Sequence, residues 1–136
     1  MIKRKVILGT VSLLMGISLL SIAANAQTKG YSLQMPAKGY RDTKVSARKS
    51  DTEDRAYNTV DYLGWNQDND GFIWWIINPD DGKKLTDSMN FNHTGRFQTP
   101  YKGDNANDYH GWDLKMRMKT DWFTNHECDV NGKFTP

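Results

Sequence analysis

An acidic segment, NQDNDG, carries oxygen-bearing side chains at the alternating positions that a calcium loop uses. Asn66, Asp68 and Asp70 stand at positions 1, 3 and 5 of a D-x-D-x-D-G pattern, and Gly71 permits the sharp turn that follows. Position 12 of such a loop is normally a bidentate glutamate, and here it is Ile77. Asparagine, aspartate and glycine are also the ordinary residues of tight turns, so a plain turn is the competing interpretation. The pattern therefore supports a weak calcium hypothesis, and apart from it we expect no cofactor.

The run directly after this loop, FIWWII (Phe72–Ile77), is apolar on both faces of a predicted strand. Successive side chains of a strand point to opposite faces, so Trp74 and Trp75 face in opposite directions. One face enters the core, and the other is covered or makes contacts, because large exposed apolar patches usually mark interaction sites. Trp65 and Trp112 lie beside polar turns, where tryptophan offers a large contact area at low entropic cost. We predict a binding surface that contains Trp65, Trp112 and the outward member of Trp74 and Trp75.

A second strand signal, DLKMRMKT, alternates strictly between apolar and cationic residues. This pattern predicts a strand with one buried face and one wet, positively charged face. We add the three cations of the wet face to the predicted binding surface. The apolar residues are Leu114, Met116 and Met118, and the cations are Lys115, Arg117 and Lys119.

Signatures of common enzyme classes are missing from the sequence. It contains no CxxC, Walker loop, GxSxG or HExxH pattern. The three histidines and the lone Cys128 match no common zinc spacing, and no two carboxylates stand out as a pair for glycoside hydrolysis. We expect Cys128 to be buried, because free cysteine is among the most buried residue types. We therefore predict a protein that is not an enzyme, with a small hydrolase as the less favoured alternative.

The rest of the chain also has mostly a period of two. YSLQM at 31–35 alternates apolar and polar residues, and RAYNTVDYL places Ala56, Val60 and Tyr62 on one face. Turn clusters separate these runs: NQDNDG, NPDDGK, NFNHTGR, YKGDNANDYHG and VNG. Short strands that are broken by turns every ten residues or so predict an all-β fold, a small antiparallel β-sandwich or barrel-like domain.

The first 26 residues predict a cleavable signal peptide. A basic start (KRK) precedes the apolar run Val6–Leu20, and Ala24-Asn25-Ala26 supplies the small residues of a cleavage site. A membrane anchor is the alternative, since the apolar stretch approaches the length that spans a bilayer. Cleavage after Ala26 would leave 110 residues, enough for one small domain. We expect a secreted, extracellular protein with no transmembrane segment after cleavage.

Removal of the signal peptide changes the charge balance. The whole chain has 18 basic and 16 acidic residues, and loss of the three basic residues of the leader leaves 15 against 16, net −1. This balance argues against a nucleic-acid partner. Residues 27–50 carry net +5 and residues 51–136 carry net −6. We divide the chain into a signal peptide (1–26), a basic N-terminal arm with a predicted edge strand (27–50) and a β-domain (51–136). The arm folds onto the acidic body, contacts an anionic wall or membrane, or is solvated.

Three segments carry a resemblance to a known family. They are an alternating strand near the mature N-terminus (YSLQM, 31–35), an R-K-x-S/T segment before a Tyr/Val-rich strand (ARKSDTEDRAYNTV, 47–60) and a V-x-G-x-W-x-P tail (VNGKFTP, 130–136). With the signal peptide, they resemble a family of small secreted Gram-positive bacterial proteins of unknown function. Phe134 replaces the tryptophan of the tail, and the middle of the chain matches only in its polar and aromatic composition. The resemblance implies a β fold and an extracellular location. Proteins of this kind are sometimes encoded beside export and immunity-like genes, so the resemblance also implies a bacteriocin-like role.

These observations predict a secreted, non-enzymatic binding or interaction protein that acts at or near the bacterial cell surface. Its expected partner is a cell-wall or cell-surface component, or another protein. A bacteriocin-like antagonist of competing cells is the alternative.

Overall fold

The computed structural model describes residues 27–64, 71–103, 105–121, 124 and 126–136, and the structural statements below concern these residues. Trp65 and the calcium hypothesis on Asn66, Asp68 and Asp70 lie outside them. The strands in chain order are β1 (Lys29–Met35), β2 (Tyr40–Asp42), β3 (Ala47–Arg48), β4 (Arg55–Gly64), β5 (Phe72–Ile77), β6 (Met89–Phe91), β7 (Gly95–Pro100), β8 (Asp113–Thr120) and β9 (Cys128–Thr135), with a 3₁₀ helix at Asn105–Tyr109 between β7 and β8.

The strands form two antiparallel sheets that pack face to face. The first sheet has the order β1-β9-β4-β7, and the second has the order β2-β8-β5-β6, with β3 also paired to β8. The predicted all-β, sandwich-like fold is confirmed. No helix in the described ranges is long and apolar enough to cross a membrane.

Residues 27–50 contribute strands to both sheets. β1 lies at the edge of the first sheet and pairs with β9 along its whole length, from Lys29 opposite Phe134 to Met35 opposite Cys128. β2 and β3 pair with β8 in the second sheet. The basic segment is thus connected by backbone hydrogen bonds to the acidic remainder of the chain.

The core lies between the sheets, where the alternating apolar residues of each strand meet. Each large side chain that is fully buried contributes about 1.5–3 kcal/mol relative to exposure. Cys128 is among the buried residues, at 1% exposure, as its residue type predicts. The largest core side chains of β1, β5, β8 and β9 are Met35, Phe72, Trp74, Ile76, Leu114, Met116, Met118 and Phe134.

β4 departs from the predicted alternation at its centre. Val60 pairs with Gly132, but the next paired residue is Tyr62, opposite Asn131, so Asp61 is an extra residue in the strand. Such a β-bulge reverses the faces of the residues that follow it. The prediction that Tyr62 shares a face with Val60 is therefore wrong, because Val60 is buried and Tyr62 is 52% exposed.

The glycine in VNG has a different role from the predicted turn. Gly132 lies inside β9, opposite the step at which β4 bulges. A Cβ at this position would lie 2.1 Å from the backbone oxygen of Thr59. Glycine within a strand often marks a bulge or a close approach of two backbones, and both occur here.

Candidate binding surface

The pairing of β5 with β8 places one predicted aromatic residue beside the predicted cations. Their neighbours in each strand are buried in the core, so these side chains lie on the outer face of the second sheet. Two separate sequence signals therefore converge on one surface. The facing pairs are Trp75 with Arg117, Ile73 with Lys119 and Ile77 with Lys115.

Trp74 does not belong to this surface. It lies opposite Met118, is completely buried, and is part of the core between the sheets. The sequence leaves open which of the two tryptophans faces outward, and the structure assigns that position to Trp75. Trp75 is half-buried.

Lys84 covers part of the Trp75 ring, and no periodicity or motif of the sequence predicts this contact. The chain reverses after β5 in a tight hairpin, in which the Gly82 amide donates to the Asn78 carbonyl at 2.7 Å. Lys84 then forms a bridge with Ile77, and its Nζ lies 5.0 Å from the Trp75 ring centroid. The turn cluster NPDDGK was the available signal, since a tight turn returns the next residues beside the strand that precedes it.

Arg117 is held by an ion pair with Asp42 of β2. Its Nε and Nη2 donate to the two carboxylate oxygens of Asp42 at 2.7 and 3.1 Å, and its guanidinium lies 4.4 Å from the Tyr40 ring centroid. The hydrogen bond to Asp42 raises the pKa of Arg117. Both side chains are partly exposed, so the pair contributes at most about 1 kcal/mol of stability. Its main effect is to fix the orientation of the guanidinium over the Tyr40 ring.

Lys115 and Lys119 carry the available charge of this surface. Within the described part of the chain, neither lysine forms an ion pair, and Lys119 is exposed. We call the whole set the cationic face. It contains four cations and one carboxylate: Lys84, Lys115, Arg117, Lys119 and Asp42, with the rings of Tyr40 and Trp75 between them.

Trp112 lies at a separate place in the fold. It precedes β8 by one residue and stands five residues before Arg117, a separation of about 17 Å along a strand. Its ring is 44% exposed and packs edge-on against Tyr109, with centroids 5.3 Å apart. Tyr109 in turn packs against Tyr101, at 5.8 Å. Trp112 therefore ends an aromatic row of its own and is not part of the cationic face.

Lys49 supports the inner end of this aromatic row. It is completely buried, and its Nζ lies 4.4 Å from the Tyr101 ring centroid. The Nζ donates to the Asp51 carboxylate at 3.1 Å and to the Glu53 carbonyl at 2.6 Å. A buried charge needs such partners, so Lys49 stabilises the 49–53 loop and offers no charge to an external ligand.

Among the described residues, no group of three or more His, Cys, Asp and Glu side chains is placed to hold a metal ion. A scan against protein-family models finds no family that matches the chain. A search of curated proteins finds no similar sequence.

Proposed function

We propose that this chain is a secreted, non-enzymatic binding protein, and that its cationic face holds an anionic component of the bacterial cell surface. The observation that carries the proposal is the arrangement around Trp75. Lys84 lies over its ring and Arg117 is its pairing partner on β8, while Lys115 and Lys119 stand on the same face without ion-pair partners in the described chain. The signal-peptide pattern of the first 26 residues supports the extracellular location.

The physical basis is a combination of long-range attraction and short-range contact. Clustered lysines attract an anionic polymer over about 8–10 Å at physiological ionic strength. Trp75 then adds a rigid, flat contact area with little loss of side-chain entropy. The chain without its leader is close to neutral, at net −1, so the positive charge is local and would orient the protein on a negative surface.

Cosedimentation tests this proposal. The chain from Gln27 onward, which contains the whole described fold, is mixed with intact Gram-positive cells or isolated cell walls and pelleted at low and high salt. We expect the protein to pellet at low salt and to be released at high salt, because exposed charges are screened. The double variant Lys115→Gln/Lys119→Gln should pellet much less at low salt.

The matched control removes two lysines from the other sheet. Lys29 and Lys133 are exposed and lie on β1 and β9, so Lys29→Gln/Lys133→Gln makes the same change in net charge at another place. We expect this control to pellet like the unsubstituted chain. Equal loss in both double variants would show that net charge alone governs the contact. Either that result or a failure to pellet in any buffer would overturn the proposed role of the cationic face.

A further inference from the structure

We infer that a groove on the first sheet is a second binding site, and that it takes a neutral carbohydrate. The groove has a volume of about 520 Å³, within the range of small-molecule sites. It lies on the outer side of β1 and β9 and is bordered by β2. The centre of the cationic face, by contrast, is formed by β5 and β8. We call it the polar groove.

The bulge in β4 aims an aromatic ring into this groove. Without the extra residue Asp61, the alternation of β4 would turn Tyr62 toward the core. Bulges are frequent beside active sites, where they redirect a side chain. The ring also needs Gly64, because a Cβ on that residue would lie 2.9 Å from the Tyr62 ring. The ring thus rests over a glycine of its own strand and is 52% exposed.

Polar side chains continue the surface from this ring across two neighbouring strands. Tyr62 pairs with Asn131 of β9, and Asn131 pairs with Ser32 of β1, so the three residues form one row across the sheet. The next row along the sheet contains Asp129 and Gln34. With strands about 4.8 Å apart, the row from β4 to β1 is about 10 Å wide. This arrangement provides a flat ring at one end and hydrogen-bonding groups along the rest.

The hydrogen bonds within the groove leave polar groups for a ligand. Ser32 Oγ donates to Asn131 Oδ1 at 2.8 Å, which leaves the amide NH₂ of Asn131 as a donor. Gln34 Nε2 donates to Glu127 Oε2 at 3.2 Å, which leaves the Gln34 carbonyl as an acceptor. A sugar can use both the donor and the acceptor, because each of its hydroxyl groups donates and accepts hydrogen bonds. The C–H face of a sugar ring can also pack on the Tyr62 ring.

The charges of the groove favour a neutral ligand over an anion. Arg41 and Lys44 line the groove together with the carboxylates of Glu127 and Asp129. Asp42 also borders the groove, but its two oxygens are bonded to Arg117. An anionic ligand would therefore meet two carboxylates, whereas a neutral polyol can accept from the cations and donate to the carboxylates.

An NMR titration tests the inference. The ¹⁵N-labelled chain from Gln27 onward is titrated with chitotriose, cellotriose and maltotriose in turn, and with inorganic polyphosphate as an anionic probe. We expect at least one neutral trisaccharide to shift the amides of Ser32, Asn131 and Asp129. Tyr62→Ala should weaken that binding about tenfold, and Tyr62→Phe should keep most of it, because the ring provides the contact.

Two further variants separate a binding role from a structural one. Gly64→Ala should displace the Tyr62 ring and weaken binding with little change in stability, since the far end of a side chain can move. Tyr57→Ala removes a ring from the same strand and face outside the groove, so it should leave binding unchanged. The double variant Lys115→Gln/Lys119→Gln should also bind the sugar normally, so failure at the cationic face does not imply failure here.

Several results would overturn the inference. They are the absence of shifts with all three sugars at millimolar concentration, shifts confined to residues outside the groove, and equal affinity in Tyr62→Ala. A response of the groove amides to polyphosphate alone would also overturn it, since the ligand would then be an anion.

Discussion

Strands β8 and β4 both cross the middle of their sheets, yet only β8 keeps its alternation from end to end. In β8, the apolar residues from Leu114 to Met118 are buried, and the cations between them face outward. In β4, the pattern holds from Ala56 to Val60, and then Asp61 enters as an extra residue. The cationic face follows from an unbroken period, whereas the polar groove exists because a period is broken.

The two outer surfaces also differ in their charge. The cationic face has four cations and one carboxylate, and that carboxylate is already bonded to Arg117. The polar groove is lined by both cations and carboxylates. A sandwich of two sheets can thus present two ligand chemistries, because each sheet has its own outer face.

The largest expected effect on stability is at Trp74, in the core beneath the cationic face, and a smaller one is expected at Trp75 on the face itself. Trp74 is fully buried, so Trp74→Ala should lower the free energy of unfolding by about 3–5 kcal/mol through lost contacts and an internal cavity. Trp75 is half-buried beneath Lys84, so Trp75→Ala should cost well under half as much and should reduce pelleting with cell walls. Urea denaturation of both variants measures the two losses.

Similar large losses in both tryptophan variants would contradict this division. The result would mean that Trp75 is needed for folding, and the cationic face would then lose its aromatic contact residue.

A smaller effect is expected at the bulge that shapes the polar groove. Gly132→Ala would place a Cβ 2.1 Å from the Thr59 backbone oxygen and 2.8 Å from the Tyr31 hydroxyl, so the backbone must move. We expect the free energy of unfolding to fall by about 1–3 kcal/mol, which is typical of overpacking. Gly30→Ala is the matched control on β1, where the nearest contact would be an ordinary 3.8 Å, and its effect should be within about 0.5 kcal/mol.

Chemical denaturation compares the two glycine variants, and the amide shift of Tyr62 reports whether the bulge has changed. If Gly132→Ala were as stable as Gly30→Ala, the close approach of β4 and β9 would not constrain this position.

The smallest expected effect concerns two buried tyrosines. Tyr31 donates its hydroxyl to Asn58 Oδ1 at 2.7 Å, whereas the Tyr101 hydroxyl has no hydrogen-bond partner in the described chain. Tyr31→Phe should therefore lower the free energy of unfolding by about 1 kcal/mol. Tyr101→Phe should leave it unchanged or raise it by up to about 1 kcal/mol. The Lys49 contact survives in the second variant, because the ring is retained.

The pH dependence of stability gives an independent measurement. Burial raises the pKa of Tyr31 and of Tyr101 above the ordinary value. The unfolded chain ionises these groups near pH 10 while the folded chain keeps them neutral, so the stability is present below about pH 10 and is lost above it. Tyr101→Phe should make the alkaline loss less steep. An unchanged slope would contradict the burial of this hydroxyl.

The sequence by itself determined the all-β class and most of the core. Strict alternation in YSLQM and DLKMRMKT identified the buried faces of β1 and β8. Because side chains alternate between the two faces of a strand, burial of one face determines which residues enter the core. The alternation also identified the three cations that β8 places on the outer face. The burial of Cys128 followed from its residue type.

Only the tertiary structure decided which surfaces these residues build. The sequence made Trp74 and Trp75 equivalent, and their roles were set by the sheet that packs against β5. Tyr62 reached the polar groove through a bulge that depends on Gly132, which is in another strand 70 residues later. Lys84 reached Trp75 through a hairpin, and Asp42 reached Arg117 through strand pairing. Periodicity is a local property of the chain, whereas register, bulges and the partners of a charge depend on which strands meet.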